Sequence, residues 1–517
     1  MPVHDRQTPP GGHGEVLYEP RLETWAALAR ENATAARSWP AGMRALREEA
    51  RADAVAAARD YSSRIGVVLP RREAGDLIVM TGHQPELFHP GVWVKDFVVQ
   101  RLSEELPALG IDIVVDTDAA GRVELTTPCL TPTVGVCRIP LVEAPGDAAY
   151  AQVPVPDASH RAAFREAAAA ALATLPAPAL GRHFAVFAEA LEDASGRVDD
   201  LGSLLTAARR TYERPAGTDY LELPVSIQAL TPAMRRFSAA ILTDAERFRG
   251  IANAALAEYR QRTGTRSVAQ PFPDLEFADG RTEVPFWLLR AGARVGLLVD
   301  EDRRLWAGDT GVVASLGRSA ESAAKALDAE GLLVVPKALA LTLFERLFVS
   351  DLFVHGTGGG RYDRVTDAIV RAYYGVEPPA FVVTSMTLLL PLGCPITTDA
   401  EVAALEHRLH RIEHNPDQVL GEVEFDTVGE RVVAEDLAAR KAALVAAISS
   451  PGANRKEIGL TIRDVNAELA ALLSPLTEDV RSALGRVRSA RDASAVLTDR
   501  TYPYCLWDPR EVADKVR

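Results

Sequence analysis

The fold of this chain is decided by residues 76–121, which read DLIVMTGHQPELFHPGVWVKDFVVQRLSEELPALGIDIVVDTDAAG. Two short β-branched runs, Asp76–Thr81 and Ile111–Val115, enclose a helical pattern at Val92–Leu102, so the sequence predicts a strand, a helix and a strand. This βαβ order implies a parallel sheet whose binding crevice lies beyond the carboxyl ends of the strands. We therefore expect the segments TGHQPELFHPG and DTDAAG to lie together at that edge.

Further predicted elements extend this pattern on both sides. Two helices are predicted before residue 62, and an alanine-rich helical insertion lies between about 150 and 215. The segments with a strand pattern are Tyr220–Val225, Phe286–Leu289, Gly296–Val299, Leu332–Val335 and Phe381–Thr384. Predicted helices near 231–262 and 318–329 separate some of these strands, so we assign all of them to one sheet-containing body.

Beyond residue 400 the apolar pattern changes to a heptad rhythm. The residues that keep this rhythm are Val402, Leu405, Leu409 and Ile412, and then Ile462, Val465, Leu469 and Leu472. With a turn at 450–452, the pattern predicts an antiparallel coiled coil that forms a dimerisation arm. An ordinary helical bundle packed on the core is the alternative.

With 517 residues, the chain is too long for one compact domain. The predicted organisation is α/β and has five segments. In chain order they are an N-terminal arm with helices (1–70), the first part of the core (71–149), a helical insertion (150–217), the remainder of the core with a Gly-rich turn (218–399) and a C-terminal coiled-coil arm with a tail (400–517).

The charge and the cysteine content of the chain argue against several classes of protein. The net charge of −14 argues against a general attraction to nucleic acid or to an anionic membrane surface. Cys129, Cys137, Cys394 and Cys505 form no CxxC pair, which argues against a disulfide framework or a zinc knuckle. Since the N-terminus has no apolar signal region and no long uncharged apolar run occurs, we expect a cytoplasmic protein that does not bind membranes.

The segment TGHQPELFHPG predicts a site for an anionic ligand. Gly82 permits a sharp turn that places His83 and Gln84 above the sheet edge, and Lys95 follows one turn into the next helix. A helix N-terminus offers free N–H groups to anions, and imidazole can donate to phosphate oxygens. The alternative is that His83 caps a buried turn and that His89-Pro90 only starts the helix.

Asp116 and Asp118 are two residues apart at the end of the second strand. On a continuing strand they would face the same side, where two carboxylates can bind a cation or an amine, or act as a general base. The alternative is a solvated turn rich in aspartate.

Residues 351–375, DLFVHGTGGGRYDRVTDAIVRAYYG, form the most unusual stretch. His355 ends an apolar run, and a new helical pattern follows the glycines. Glycines let backbone amides approach a carboxylate or phosphate closely, whereas a bare linker is the alternative. The residues that we expect around this ligand are Gly356, Gly358, Gly359, Gly360, Arg361, Tyr362 and Asp363.

Two other clusters have simpler interpretations. His407, His410 and His414 have a spacing that can bind a metal, but beside the apolar stripe they are more typical of a polar flank. The C-terminal TYPYCLWDPR favours a packed tail over a reactive thiol at Cys505, because no activating group is evident.

The order of these segments resembles that of bacillithiol synthase, the cysteine-adding enzyme of low-molecular-weight thiol biosynthesis, over most of the chain. Family members have a G-Q-Q-x-G segment before a helix, to which GHQPELFHPGVWVKDFVVQRL is similar, and an acidic E-D-H-D-type cluster, to which VVDTDAAG is similar. The family's layout of a P-x-A-L helix, a Gly-rich turn, a helix and a strand is similar to PKALALTLFERLFVSDLFVHGTGGGRYDRVTDAIVRAYYGVEPPAFVVTS.

The resemblance implies a Rossmann-like core, helical insertions, a coiled coil that makes a homodimer and a ligase that condenses cysteine with an amino sugar conjugate. This chain departs from the family pattern at three ligand-facing places. His83 replaces the first glutamine, Thr117 replaces the histidine of the acidic cluster, and Gly-Thr-Gly-Gly-Gly-Arg replaces a Gly-Pro-Gly-Glu type turn. These differences indicate a changed substrate.

We therefore expect a homodimeric enzyme that joins a small amino acid to an amine-bearing small molecule through a C–N bond. Here His83 and the Gly356–Gly360 turn hold the anionic group, Asp116 and Asp118 orient or deprotonate the amine, and His355 lines the same cleft with Arg361 and Tyr362. Activating a carboxylate implies a nucleotide (ATP or ADP) or an already activated acid, and we assign no metal ligands. Nucleotidylyl transfer and a non-catalytic small-molecule-binding dimer stay open as alternatives.

Overall fold

The computed structural model describes residues 8–71, 77–130, 134–267, 272–393, 395–451 and 453–516. Cys394 and parts of the predicted first strand, N-terminal arm and 450–452 turn lie outside these residues. The chain divides into two compact units. The larger comprises Met1–Cys129, Val136–Leu389 and Arg500–Arg517, and the smaller comprises Leu130–Gly135 and Leu390–Asp499.

The strands are numbered in chain order. They are β1 (Val16–Glu19), β2 (Leu77–His83), β3 (Ala108–Val114), β4 (Arg122–Cys129), β5 (Gly135–Glu143), β6 (Leu221–Pro224), β7 (Phe277–Ala278), β8 (Arg281–Arg290), β9 (Ala293–Asp300), β10 (Arg304–Ala307), β11 (Val312–Ser315), β12 (Val334–Pro336), β13 (Leu352–His355) and β14 (Phe381–Met386).

The α-helices are numbered in the same way. They are α1 (Trp25–Ala36), α2 (Ala41–Arg64), α3 (Pro90–Glu105), α4 (Ala158–Ala173), α5 (Pro178–Ser195), α6 (Leu201–Glu213), α7 (Val225–Gln228), α8 (Pro232–Thr243), α9 (Ala245–Thr263), α10 (Ala320–Ala329), α11 (Ala338–Phe344), α12 (Thr357–Ile369), α13 (Asp399–His414), α14 (Val428–Ile448), α15 (Arg455–Leu472), α16 (Ser474–Leu497) and α17 (Pro509–Val516). None of these helices has the length and hydropathy needed to cross a bilayer.

The fold is mixed α/β and is built on a six-stranded, mostly parallel sheet. Its strand order is β1-β14-β13-β2-β3-β6, and only β1 pairs antiparallel. The strand–helix–strand prediction for residues 76–115 is confirmed by β2, α3 and β3. Strand β2 runs to His83, which pairs with Val114, so His83 ends a strand instead of starting a loop. β-Branched residues fill these central strands because both sheet faces are buried.

The strands predicted between Phe286 and Val335 form, but they do not join the parallel sheet. They make an antiparallel sheet with the order β11-β10-β9-β8-β12. Ala291 and Gly292 connect β8 to β9 with positive φ values of 50° and 75°, which is the conformation of a two-residue hairpin turn. So short a connection can join only antiparallel neighbours. The strands therefore belong to the same larger unit as the parallel sheet but form a separate, antiparallel sheet within it.

The predicted helical insertion consists of α4, α5 and α6. The side chains of Asp157 and Asp200 cap α4 and α6 by accepting backbone N–H groups. The C-terminal tail belongs to the same larger unit, and its Tyr504 ring lies 5.7 Å from Phe187 and 5.2 Å from Trp93. Segment 400–517 therefore divides at Asp499, because the aromatic residues after it are buried in the core of the larger unit.

The smaller unit contains the helices α13, α14, α15 and α16. Helix α13 packs on α16, and α14 packs on α15. Thr398 and Thr427 begin α13 and α14 as reciprocal caps with the glutamates three residues later. The buried apolar side chains form two clusters, Ile412, Val419, Leu473 and Val480 in one and Ala434, Leu437, Val465 and Leu469 in the other.

Candidate functional site

A cavity of about 880 Å³ opens in the larger unit at the carboxyl ends of β2, β3 and β13. His83 ends β2, Asp118 follows β3 by four residues, and His355 ends β13; all three line the cavity. Because neighbouring parallel strands end at one edge, residues more than 270 positions apart in the chain meet here. Three separate sequence segments that we singled out thus contribute to one site.

Most of the predicted site residues line this cavity, but three of them do not. Those that line the cavity are His83, Gln84, Lys95, Asp118, His355, Gly356, Gly358, Gly359, Tyr362 and Asp363. Asp116, Gly360 and Arg361 do not line it. Helix α12 begins at Thr357, so the glycines form its first turn and not an open loop. Gly360 is buried in that turn, and Arg361 is exposed on the outside of the helix.

His355 is held by a chain of charged side chains. Its Nε2 lies 2.8 Å from Oδ2 of Asp363, and Nη1 of Arg346 donates to the same oxygen at 2.7 Å. Burial alone would raise the pKa of Asp363, but Arg346 and His355 hold it below its usual value. In the neutral imidazole, the ionised Asp363 carboxylate favours the proton on Nε2, which donates it, so Nδ1 has the lone pair. This tautomer makes Nδ1 the basic atom of His355.

Gly359 is the residue that lets α12 approach this imidazole. A Cβ atom at Gly359 would lie 2.8 Å from Nδ1 of His355, whereas Cβ atoms at Gly356 and Gly358 would meet no atom within 4 Å. The ring is also packed against Phe353 and Phe381, with centroid distances of 4.6 and 5.2 Å. The imidazole orientation is therefore fixed from several sides.

His83 is neutral in this site. Burial, reinforced by the charge of Lys95, lowers the pKa of His83 to about 3. Its Nδ1 lies 3.0 Å from the carbonyl oxygen of Gln84, so Nδ1–H donates and Nε2 can only accept. An ionised phosphate oxygen has no proton to donate to Nε2. The hydrogen bond that we expected from His83 to a phosphate therefore does not form with this tautomer.

Asp118 is tied to two partners at the cavity wall. Gln84 Nε2 donates to its Oδ2 at 2.9 Å, and Arg294 forms an ion pair with its Oδ1. Arg294 also pairs with Asp147 at 2.8 Å and lies over the Trp287 ring. Asp118 is thus held by Gln84 and shares Arg294 with Asp147, which suits a role in orienting a ligand.

Asp116 lies elsewhere, against our expectation that the two aspartates share a face. The chain turns after Val114, and Asp116 Oδ1 accepts the backbone N–H of Ser226 at 2.9 Å while Oδ2 accepts the Ser226 hydroxyl. Burial raises the pKa of Asp116 to about 7, and the two Ser226 hydrogen bonds oppose this change. Asp116 fastens the end of β3 to the start of α7 and does not face the cavity.

Two basic side chains, one on α3 and one from the C-terminal tail, line the cavity. Lys95 is buried, and its Nζ donates to the carbonyl of Gly82 at 2.7 Å. Arg500, from the C-terminal tail, lines the same region and donates to Ser385 Oγ and Thr387 Oγ1 at 2.9 Å each. Gly91 in the first turn of α3 leaves the space that the Arg500 guanidinium occupies. The sequence indicated Lys95 but gave no signal for Arg500.

The opposite wall comes from the antiparallel sheet and from α11, and our sequence reasoning missed it. Lys337 Nζ pairs with Glu283 Oε1 at 2.5 Å and lies 4.2 Å from the centre of the Trp287 ring. Glu345 is buried where α11 continues into a π-helical turn, and neither carboxyl oxygen makes a hydrogen bond of normal geometry within the described chain. Burial raises the pKa of Glu345 to about 8, so it is largely protonated at neutral pH.

The histidines of α13 and the C-terminal cysteine, which the sequence analysis also singled out, lie on the surface and in the core, respectively. His407, His410 and His414 are all exposed on α13. No group of three His, Cys, Asp or Glu side chains among the described residues is placed to hold a metal ion. Cys505 is fully buried, and burial raises the pKa of its thiol, so the thiolate is disfavoured.

The assembled site offers an oriented imidazole, a carboxylate paired with an arginine and a cationic region at the start of α3. These groups can take a proton from a ligand and hold an anionic group in one enclosed space. Neither a protein-family model nor a curated protein matches this chain.

Proposed function

We infer that this chain is a cytoplasmic enzyme that forms a C–N bond between a small amino acid and an amine-bearing small molecule. The observation that carries this proposal is the His355–Asp363 pair at 2.8 Å, placed in a cavity that also contains Lys95, Arg500 and Asp118. The volume of about 880 Å³ is within the range of small-molecule sites and leaves room for two substrates.

In this proposal Nδ1 of His355 removes a proton from the attacking amine. A positioned general base typically contributes a factor of about 10² to 10⁴ to the rate. Asp363 keeps the imidazole in the tautomer that leaves Nδ1 free of a proton, and Arg346 keeps Asp363 ionised. These residues replace Asp116 in the role of base that we assigned from the sequence.

The anionic part of a substrate is proposed to bind near Lys95 and Arg500. The N-terminus of the 16-residue helix α3 adds its partial positive charge to this region. Asp118, oriented by Gln84 and Arg294, is proposed to accept a hydrogen bond from the amine. A nucleotide such as ATP, or an already activated acid, is needed to make the carboxyl carbon reactive.

The experiment is a condensation assay in which cysteine, other small amino acids and amino sugar conjugates are supplied with and without ATP. Mass spectrometry should detect a product that equals both substrates minus one water. His355→Ala and Asp363→Asn should each lower the rate at least ~10-fold, whereas the exposed His160→Ala should not. Full activity in both cavity variants would refute the assignment of the base.

Other outcomes separate the alternative functions. Exchange of pyrophosphate into ATP that does not depend on a carboxylic acid substrate would favour nucleotidylyl transfer, since a ligase that activates its acid as an adenylate exchanges pyrophosphate only when the acid is present. Tight binding of a small molecule without turnover would favour a non-catalytic dimer. Either result would replace the ligase proposal.

The proposed architecture is a Rossmann-like core with a coiled-coil dimerisation arm. Support for the core comes from the parallel order β13-β2-β3-β6 with a helix between β2 and β3. Support for the homodimer comes from α14 in the smaller unit, where Val428 and Val432 lie four residues apart and are 80% and 57% exposed. Residues at this spacing share one helix face, and exposed apolar faces mark interaction sites.

Substitution of this face tests the dimer. Val428→Lys with Val432→Lys should yield a monomer in analytical ultracentrifugation, because two charges would have to be buried in the interface. Arg486→Glu, an exposed change on helix α16, serves as the control. A doubly substituted chain that still sediments as a dimer would exclude this face as the interface.

A further inference from the structure

A second site candidate lies on the outer surface of α1 and α2, where a groove of about 450 Å³ is lined by Arg37, Arg44, Arg47 and Arg51. Three alanines and Glu48 complete the lining that we call the basic groove. None of these residues lines the cavity described above. Four guanidinium groups in one groove are unexpected in a chain with a net charge of −14.

Two of the arginines are fixed by the protein. Arg47 donates to Asp351 Oδ1 at 2.6 Å and to the carbonyl of Leu347 at 2.6 Å, and Arg51 donates to Asp351 Oδ2 at 2.9 Å. Arg47 also lies over the Trp39 ring. One carboxylate thus orients two guanidinium groups. Because these side chains are already ordered, their binding to a ligand would cost little conformational entropy.

The other two arginines are held by nothing that the described chain provides. Arg37 follows the last residue of α1, Arg44 lies in the first turn of α2, and both are exposed. Neither side chain makes a hydrogen bond or an ion pair with any described residue. At the start of a helix a cation opposes the helix dipole, so Arg44 does not stabilise α2. Both guanidinium groups are therefore available to a ligand.

The charges of the groove define the class of that ligand. Asp351 and Glu48 together offset two of the four positive charges, which leaves a formal excess of two. Guanidinium groups bind phosphate oxygens through paired N–H donors, and several of them suit an anion with several oxygens. The three alanines add an apolar surface on which an organic part of the ligand can rest.

We propose that the basic groove binds the diphosphate or triphosphate group of a small molecule, through Arg37 and Arg44 at its rim and Arg47 and Arg51 at its base. This site is independent of the proposed ligase function, because it shares no residue with the cavity. Arginine stays charged at every physiological pH, so the affinity should follow the ionisation of the phosphate alone. The affinity should also fall as salt concentration rises.

Isothermal titration calorimetry of the full chain tests this proposal, with pyrophosphate, ADP and inorganic phosphate as probes. Pyrophosphate and ADP should bind more tightly than inorganic phosphate, and Arg37→Gln and Arg44→Gln should each weaken binding ~10-fold. The temperature of thermal unfolding should not fall in either variant, since neither side chain makes a hydrogen bond or an ion pair with a described residue. Arg165→Gln, an exposed change on α4, is the matched control.

Each other outcome counts against the proposal. Absence of binding by all three probes, or affinity that survives the double Arg37→Gln/Arg44→Gln variant, would overturn it. Loss of diphosphate binding in His355→Ala with no loss in the double variant would place the anion in the cavity instead. Binding of heparin or an oligonucleotide without binding of the small phosphates would show that the groove serves a macromolecular polyanion.

Discussion

Replacement of Gly359 by alanine should displace the imidazole of His355, the proposed base, while hardly altering the rest of the fold. The new methyl group would lie 2.8 Å from Nδ1 and 3.5 Å from Cγ of His355, and ordinary contacts begin at 3.4 Å. The ring must therefore retreat, and an ordinary contact of 3.4 Å requires a movement of about 0.6 Å. Phe353 and Phe381 confine the ring on other sides, so this movement strains the Nε2 bond to Asp363.

The expected change in the free energy of unfolding of Gly359→Ala is the sum of two opposing contributions. If the full displacement acted along the bond, a separation of 2.8 Å would become about 3.4 Å, which is beyond a normal hydrogen bond. Loss of a hydrogen bond to a charged group costs ~1.5–3 kcal/mol. Alanine in place of glycine recovers at most ~1 kcal/mol of helix stability, and less in a first turn. We expect a net loss of ~1 kcal/mol in the free energy of unfolding.

Gly358→Ala is the matched control, because its Cβ would meet no atom within 4 Å in the same helical turn. Its free energy of unfolding in urea should equal that of the wild type or be slightly higher. NMR of the ring nitrogens should still show His355 with the proton on Nε2. Gly359→Ala should change that ring signal and lower the condensation rate at least ~10-fold. The reasoning is refuted if both alanine variants keep the wild-type ring signal and the same stability.

Three further changes test the surroundings of the site. Asp116→Asn should increase the free energy of unfolding by up to ~4 kcal/mol at about pH 8 and by little at about pH 4. Burial raises the pKa of Asp116 from its ordinary value of 3.8 to about 7 in the folded chain, so the wild type loses stability as pH rises between these values. Equal effects on urea unfolding at both pH values would contradict this. Arg209→Met should lower stability by ~3–5 kcal/mol, because Asp96 and Asp112 lose their buried arginine and Glu222 keeps only its pair with Arg210. A normal urea midpoint would contradict this. Tyr504→Ala should lower stability by a similar ~3–5 kcal/mol through loss of packing in the aromatic cluster, whereas Tyr504→Phe should be mild in the same measurement.

The part of the site that lies on β2, α3, β3 and β13 could be predicted from the sequence. Short β-branched runs and a helical period identify parallel strands, and parallel strands end at a common edge. This rule alone brings His83, Asp118 and His355 to one cavity without knowledge of any distance. The side-chain directions could not be predicted, because they depend on where each strand ends. The turn after Val114 sends Asp116 to Ser226 and only Asp118 to the cavity.

The opposite wall could not be predicted for a different reason. Trp287, Arg294 and Lys337 belong to strands and turns whose pattern resembles that of the parallel sheet. Only the two-residue hairpin turn at Ala291 and Gly292 distinguishes an antiparallel neighbour, and the strand pattern on either side of it does not. Arg500 comes from a tail far along the chain, and no local pattern connects it with α3.

The glycine-rich run has a different physical role from the one that its composition suggests. We expected its backbone amides to surround an anion, yet the run is helical, and Gly359 is the position that the fold requires to be small. Its contact is the imidazole of His355, which Asp363 holds four residues further along the same helix. Because α12 supplies both the close approach and the carboxylate, a shift of this helix would change the position of the base and its tautomer together. The reactivity of His355 therefore depends on the start of α12 and on Arg346, which pairs with Asp363 and Asp367 from the neighbouring π-helical turn.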